Sequence, residues 1–145
     1  MHVRLSRTVA AVMAAICSTV LFASPAVAAQ GVSPSCSGSI VHQAGLWLPG
    51  GNQVGRVELW YSSANGGTNC VITRSFLGSK TDGIGAYLWL QDGRNVFDSS
   101  ASYNSYAGGA WISNAAGVCV KYKGEVVLNG DVATGGRPGS WGNCG

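Results

Sequence analysis

The chain has 145 residues, of which nine are Lys or Arg, six are Asp or Glu and 22 are Gly. That length fits one domain. So few charges, with no basic run among them, give no electrostatic ground for binding nucleic acid or an anionic membrane. Abundant Gly beside scarce Leu, Glu and Lys argues against a helical fold.

The first 29 residues read as a secretory signal peptide. Arg4 and Arg7 make a basic start, an apolar run extends from Val9 to Phe22, and Pro25 precedes the small residues Ala26 to Ala29. Cleavage is expected after Ala28 or Ala29. The apolar run is too short to span a bilayer, so no membrane anchor is expected after cleavage. Losing Arg4 and Arg7 takes the nine basic residues to seven, against six acids. The exported domain, residues 30–145, is therefore nearly neutral.

Within that domain, short β-rich runs alternate with turn signals. Ser39 to Leu48 is a first strand, closed by Pro49-Gly50-Gly51-Asn52. Arg56 to Ser62 is a second, followed by the hairpin signal Asn65-Gly66. Cys70 to Leu77 is a third. Ala86 to Gln91 is a fourth, ended by Asp92-Gly93, and Asn95 to Asp98 a short fifth. Tyr106 to Ser113, Val118 to Lys123 and Glu125 to Leu128 complete the set, and Gly130 to Gly145 is expected to be irregular. The spacing of the turns predicts an all-β fold, a small antiparallel β-sandwich or barrel.

Cys17 falls inside the signal. Cys36, Cys70, Cys119 and Cys144 remain, an even number in an exported chain, which implies two disulfides. No C-x-x-C pair occurs, so zinc binding and thioredoxin-like chemistry are both disfavoured, and no metal or other cofactor is expected. Cys36 begins the first strand and Cys70 the third, so a meander brings both to one end of the sheet. Cys119 lies in a late strand and Cys144 in the tail after it. This favours Cys36–Cys70 with Cys119–Cys144. The rival pairs Cys36 with Cys144.

Alternation along the strands separates aliphatic from aromatic side chains. Val57, Leu59 and Tyr61 share one face of their strand, Glu58 and Trp60 the other. Leu88 and Leu90 oppose Tyr87 and Trp89, and Ala110 and Ile112 oppose Trp111. If the aliphatic face is core, Trp60, Tyr87, Trp89 and Trp111 form a candidate ligand platform on which sugar rings could stack. The alternative is a second buried face, since Trp is highly buried on average.

Catalytic signals are sparse. His42 is the one histidine of the exported domain, and no nucleophile sits in a frame such as G-x-S-x-G. Glu58, Asp82, Asp92, Asp98, Glu125 and Asp131 are its carboxylates. Glycoside hydrolysis needs two of them facing each other at a set separation. Asp82 and Asp92 stand in Asp-Gly turns for backbone reasons. Asn95 to Ser100 loosely matches the calcium signature of βγ-crystallin domains, with Val96 where an Asn or Asp is wanted. No catalytic residue is assigned and the chain is expected not to be an enzyme.

Three stretches together resemble the spore-associated protein A family of secreted actinobacterial proteins: Tyr61 to Thr73 around Cys70, Tyr106 to Val120 around Cys119, and Trp141 to Gly145 around Cys144. The resemblance covers about Cys36 to Gly145. It implies an exported, disulfide-bonded protein found with spores or the cell envelope, and it brings no catalytic residues. The expected function is a secreted structural or interaction protein whose partner is an extracellular glycan or a surface protein. One alternative is a glycan-binding module that uses the tryptophan face. Another is a secreted protease inhibitor, for which Ser99 to Gly109 is the long candidate loop.

Overall fold

The computed structural model describes residues 28–144. Apart from Ala28 and Ala29, the expected signal segment lies outside the described residues, and so does Cys17. Nine strands follow in order: β1 (Gln30–Val32), β2 (Ser39–Trp47), β3 (Gln53–Ser62), β4 (Thr68–Ser75), β5 (Gly83–Leu90), β6 (Asn95–Ser100), β7 (Tyr106–Ile112), β8 (Val120–Leu128) and β9 (Asp131–Gly142). They form two antiparallel sheets, ordered β1-β7-β4-β3-β2 and β6-β5-β8-β9. β5 packs across β4 and β7, β8 across β3, and β9 across β2. This is a sandwich rather than a closed barrel.

The period-two pattern puts the aliphatic residues between the sheets. Val57, Leu59, Val71, Ala110 and Ile112 come from the first sheet, and Ile84, Ala86, Leu88, Leu90, Val120 and Val126 from the second; all are buried. Two polar links cross the same interior. Thr73 Oγ1 donates to the Gly85 carbonyl at 2.8 Å. His42 Nδ1 meets the hydroxyl of Tyr122, which is itself buried. Burying a hydroxyl is costly unless it is hydrogen-bonded, so His42 is accounted for by this pairing.

The observed strands depart from the sequence reading in three places. Val118 to Lys123 and Glu125 to Leu128 are one continuous strand, β8. Gly124 does not break it, because the glycine faces the core: a Cβ there would lie 2.5 Å from Val57 Cβ and 2.6 Å from Thr73 Oγ1. The tail is not irregular. Asp131–Gly142 forms β9 and pairs along β8. Its Gly135 carries no side chain because the Gly45 carbonyl of β2 stands 2.5 Å from where a Cβ would be. The third departure is β1, which pairs with β7 at an edge the sequence did not indicate.

The disulfides are Cys36–Cys70 and Cys119–Cys144, as the spacing favoured. The geometry behind the first differs from the expectation. β1 and β2 hold opposite edges of the first sheet, so residues 33–38 must cross it. The crossing strap passes β7 at Gly109, where a Cβ would lie 2.6 Å from Cys70 Sγ and 2.8 Å from Cys36 Sγ. Cys36 lies in this strap, ahead of β2, and the bridge pins the strap to β4 near the middle of the sheet.

Candidate functional site

The four platform residues do face away from the aliphatic core, and each is half-buried. They do not form one platform. Trp60 on β3 and Trp111 on β7 belong to the first sheet; Tyr87 and Trp89 on β5 belong to the second. The two pairs therefore lie on opposite outer surfaces. Period two reveals that a residue faces outward, but not which sheet its strand will join.

Trp60 and Trp111 are also kept apart. Both pair in register with Cys70, one from each side of β4. The bridge to Cys36 thus stands between the two indoles. Trp111 lies against β1 as well, where a Cβ at Gly31 would be 3.2 Å from the indole ring. These two rings support the strap and the edge strand.

The second sheet carries the better site. Tyr87 and Trp89 are two residues apart on β5, so both project from one face. Their ring centroids are 5.9 Å apart with planes only 6° from parallel. Phe97 stands directly opposite Tyr87 on β6. Its ring centroid is 6.1 Å from that of Tyr87, at an interplanar angle of 21°. Sequence reasoning did not single out Phe97, yet it is 61% exposed. It alternates with Val96 and Asp98, and that alternation was the available signal.

A polar frame holds the middle ring. The Tyr87 hydroxyl donates to Glu125 Oε1, and Lys123 Nζ donates to Glu125 Oε2 at 2.8 Å. Lys123 Nζ also lies 4.2 Å from the Tyr87 ring centroid, a cation–π contact. Gly85 makes room for the phenol, since a Cβ there would lie 2.7 Å from the Tyr87 oxygen. Burial raises the Tyr87 pKa, and the adjacent Glu125 carboxylate raises it further, against a hydrogen bond with Ser99 that lowers it. Burial also pushes the Glu125 carboxyl up, but hydrogen bonds from Lys123 and Tyr87 and the Lys123 charge outweigh it and hold the pKa low. At neutral pH the site therefore presents a neutral phenol fixed to a carboxylate and an ammonium.

Beyond Trp89, Trp141 of β9 is 40% exposed, and Lys121 Nζ lies 4.3 Å from its ring centroid. Trp89, Arg94, Lys121, Pro138 and Trp141 line a shallow cavity of about 370 Å³. Arg94 is committed elsewhere: it bonds Asp92 and the carbonyls of Ser113 and Asn114. The outer face of the second sheet thus groups Phe97, across the strand pair, and Trp89, along β5, about Tyr87, with Trp141 and Lys121 beyond Trp89.

The carboxylates are dispersed. Glu58 is bound by Arg56, Arg74 and Trp60. Asp82 accepts from the Asn129 amide, and Asp92 from Arg94. Asp98 accepts from Gly108 N at 2.7 Å and the Tyr103 hydroxyl at 2.9 Å. The loose calcium match therefore falls on strand β6, where its Asp is occupied in tying β6 to β7. Among the described residues, no group of three or more His, Cys, Asp or Glu is placed to hold a metal ion. Ser99 to Gly109 is not a long loop either; only residues 101–105 join β6 to β7. Among the described residues, no helix is long and apolar enough to cross a membrane.

No family model matches the chain, and neither a curated protein nor a solved structure matches it.

Proposed function

We propose that this protein is a secreted, non-catalytic interaction module that attaches to a spore or cell surface by binding polysaccharide. The binding surface is the outer face of the second sheet. One observation carries this reading: the cluster of near-parallel rings that Phe97 and Trp89 form about Tyr87 on a hydrogen-bonded sheet. Flat aromatic rings held by a rigid scaffold suit the apolar faces of sugar rings, and the flanking Glu125, Lys123 and Lys121 supply hydrogen-bonding groups. Phe97 is 61% exposed, and Tyr87 and Trp89 beside it are half-buried, so the group presents a contiguous apolar surface to solvent. The basic and apolar start of the sequence supports export, and two disulfides suit an oxidising exterior. The resemblance to the spore-associated protein A family supports a spore or envelope location.

Co-sedimentation with insoluble chitin and with peptidoglycan tests the reading. The protein should pellet with at least one of them. Phe97→Ala or Trp89→Ala should weaken the binding, and the double variant should abolish it while its far-UV circular dichroism stays unchanged. Failure to pellet with either polymer, or equal binding by a folded double variant, overturns it.

A further inference from the structure

The opposite surface of the sandwich carries a cluster that glycan binding by the second sheet does not use. Arg56 of β3 and Arg74 of β4 are direct register partners. Like charges placed directly opposite across two strands repel. Glu58, on the same face two residues along β3, sits beneath them with only 1% of its surface exposed. Its Oε1 accepts from Arg56 Nε at 2.6 Å and from Arg74 Nε at 3.3 Å. Its Oε2 accepts from Trp60 Nε1 at 3.1 Å and from Arg74 Nε at 3.3 Å.

That arrangement has two consequences. One carboxylate faces two guanidinium groups, so the cluster keeps one uncompensated positive charge. The bonds to Glu58 use Nε alone, and among the described residues neither guanidinium makes a hydrogen bond through its Nη atoms. The two arginine side chains remain 45% and 41% exposed. A buried acid would already be satisfied by Trp60 and one arginine. The second arginine adds two longer bonds to the same carboxylate, and with them a like-charge neighbour for the first.

Aromatic rings close the row at both ends. Tyr106 of β7 pairs with Arg74 and is 39% exposed. On the other side, Gly45 of β2 pairs with Arg56. A Cβ at Gly45 would lie 2.6 Å from Trp47 Nε1, so the Trp47 indole, 55% exposed, folds over Gly45 beside Arg56. Trp47, Arg56, Arg74 and Tyr106 thus run in sequence across four adjacent strands.

We propose that this row is a second binding site, for an acidic saccharide whose carboxylate or sulfate group is held by the Nη donors of Arg56 and Arg74. Guanidinium groups match such oxoanions bidentately, and anchoring through Nε fixes their forks in advance. Trp47 and Tyr106 give the sugar rings on either side of the anion a surface to lie on. Glu58 is a positioning residue: it lets two arginines stand side by side.

Titration of the ¹⁵N-labelled protein, read at the arginine Nε–H resonances, tests the site with heparin oligosaccharides as the sulfate source and oligogalacturonates as the carboxylate source. Arg56 and Arg74 signals should move with at least one of them, and the affinity should fall as salt is added. Arg74→Gln should weaken binding tenfold or more. Arg56→Lys keeps the charge but not the fork, and should weaken it similarly. Phe97→Ala, on the opposite face, should leave it unchanged, which separates this site from the polysaccharide face. Undisturbed arginine signals with both saccharides overturn the proposal. Full affinity in a folded Arg56→Lys variant also overturns it, because bare charge would then suffice. Movement caused by inorganic sulfate but by neither saccharide overturns the saccharide assignment.

Discussion

The hydroxyl of Tyr87 donates to the carboxylate of Glu125, which lies one diagonal step beyond Lys123, the direct partner of Tyr87 on β8. This diagonal bond fixes the ring around which Phe97 and Trp89 are arranged. Its loss should be felt more in binding than in stability. Tyr87→Phe should cost about 1 kcal/mol of folding stability, the size of one hydrogen bond on a partly exposed surface. Chemical denaturation of the variant beside the parent protein checks this.

Acid should weaken the fold through two carboxylates. Both Glu58 and Glu125 have folded pKa values below their ordinary 4.5. For Glu58, burial acts upward, and the Arg56 and Trp60 hydrogen bonds with the Arg74 and Arg56 charges more than offset it. A depressed folded pKa contributes stability that is fully present above the ordinary value and is lost as pH falls through the folded value. The melting temperature should therefore be flat above about pH 5 and fall below about pH 4. Glu125→Gln should make that fall shallower. A scan of melting temperature from pH 2 to 7 reads both effects.

The tryptophans should divide by face. Trp111 lies beside the strap and its indole packs over Gly31 of β1, so Trp111→Ala should cost about 2–3 kcal/mol, somewhat less than a fully buried tryptophan. Among the described residues no strand covers Trp89, and Trp89→Ala should cost about 1 kcal/mol. Urea midpoints at constant m-value give both numbers. A larger loss for Trp89 than for Trp111 would reverse the assignment of Trp111 as the supporting ring.

Gly124 should resist any side chain. Gly124→Ala brings a Cβ to 2.5 Å from Val57 Cβ in the middle of the sandwich. Overpacking of this kind costs about 1–3 kcal/mol. Pairing it with Val57→Ala should recover little of the loss, because that change removes the Val57 Cγ2 that would lie 2.9 Å away but keeps the Cβ at 2.5 Å and Thr73 Oγ1 at 2.6 Å. Thermal melting of the single and double variants forms the test.

Opening the Cys36–Cys70 bridge should release the strap. The closed loop spans 34 residues, for which loop-closure entropy gives about 3–4 kcal/mol. The Cys36→Ala, Cys70→Ala double variant should lose about that much. Its tryptophan fluorescence should shift to the red as Trp60 and Trp111 gain water, while Trp89 on the other sheet is unaffected.

Period-two alternation put Leu59, Leu88 and Ile112 on the faces opposite Trp60, Trp89 and Trp111 and left open whether the aromatic face was a second buried one; the structure buries the aliphatic face. That sorting depends only on strand geometry, and the structure keeps it. The order of the cysteines gave the Cys36–Cys70 and Cys119–Cys144 pairing, although Cys36 meets Cys70 from the strap that crosses the sheet and not from the start of a meander strand. Glycine was the point of failure. Gly124 and Gly135 read as breakers, although they are the places where a neighbouring strand comes too close for a Cβ, and the turn signal Asn129-Gly130 that joins β8 to β9 was passed over. Which outward residues meet was never a local property. Tyr87 and Phe97 are neighbours because β5 and β6 form a hairpin, but Trp89 and Trp111 are separated because β6 hands the chain to the other sheet and β7 inserts between β1 and β4. Sheet membership follows from long-range pairing and from which faces can be buried together. Only the tertiary structure therefore decided that the outward aromatic residues are divided between two opposite surfaces.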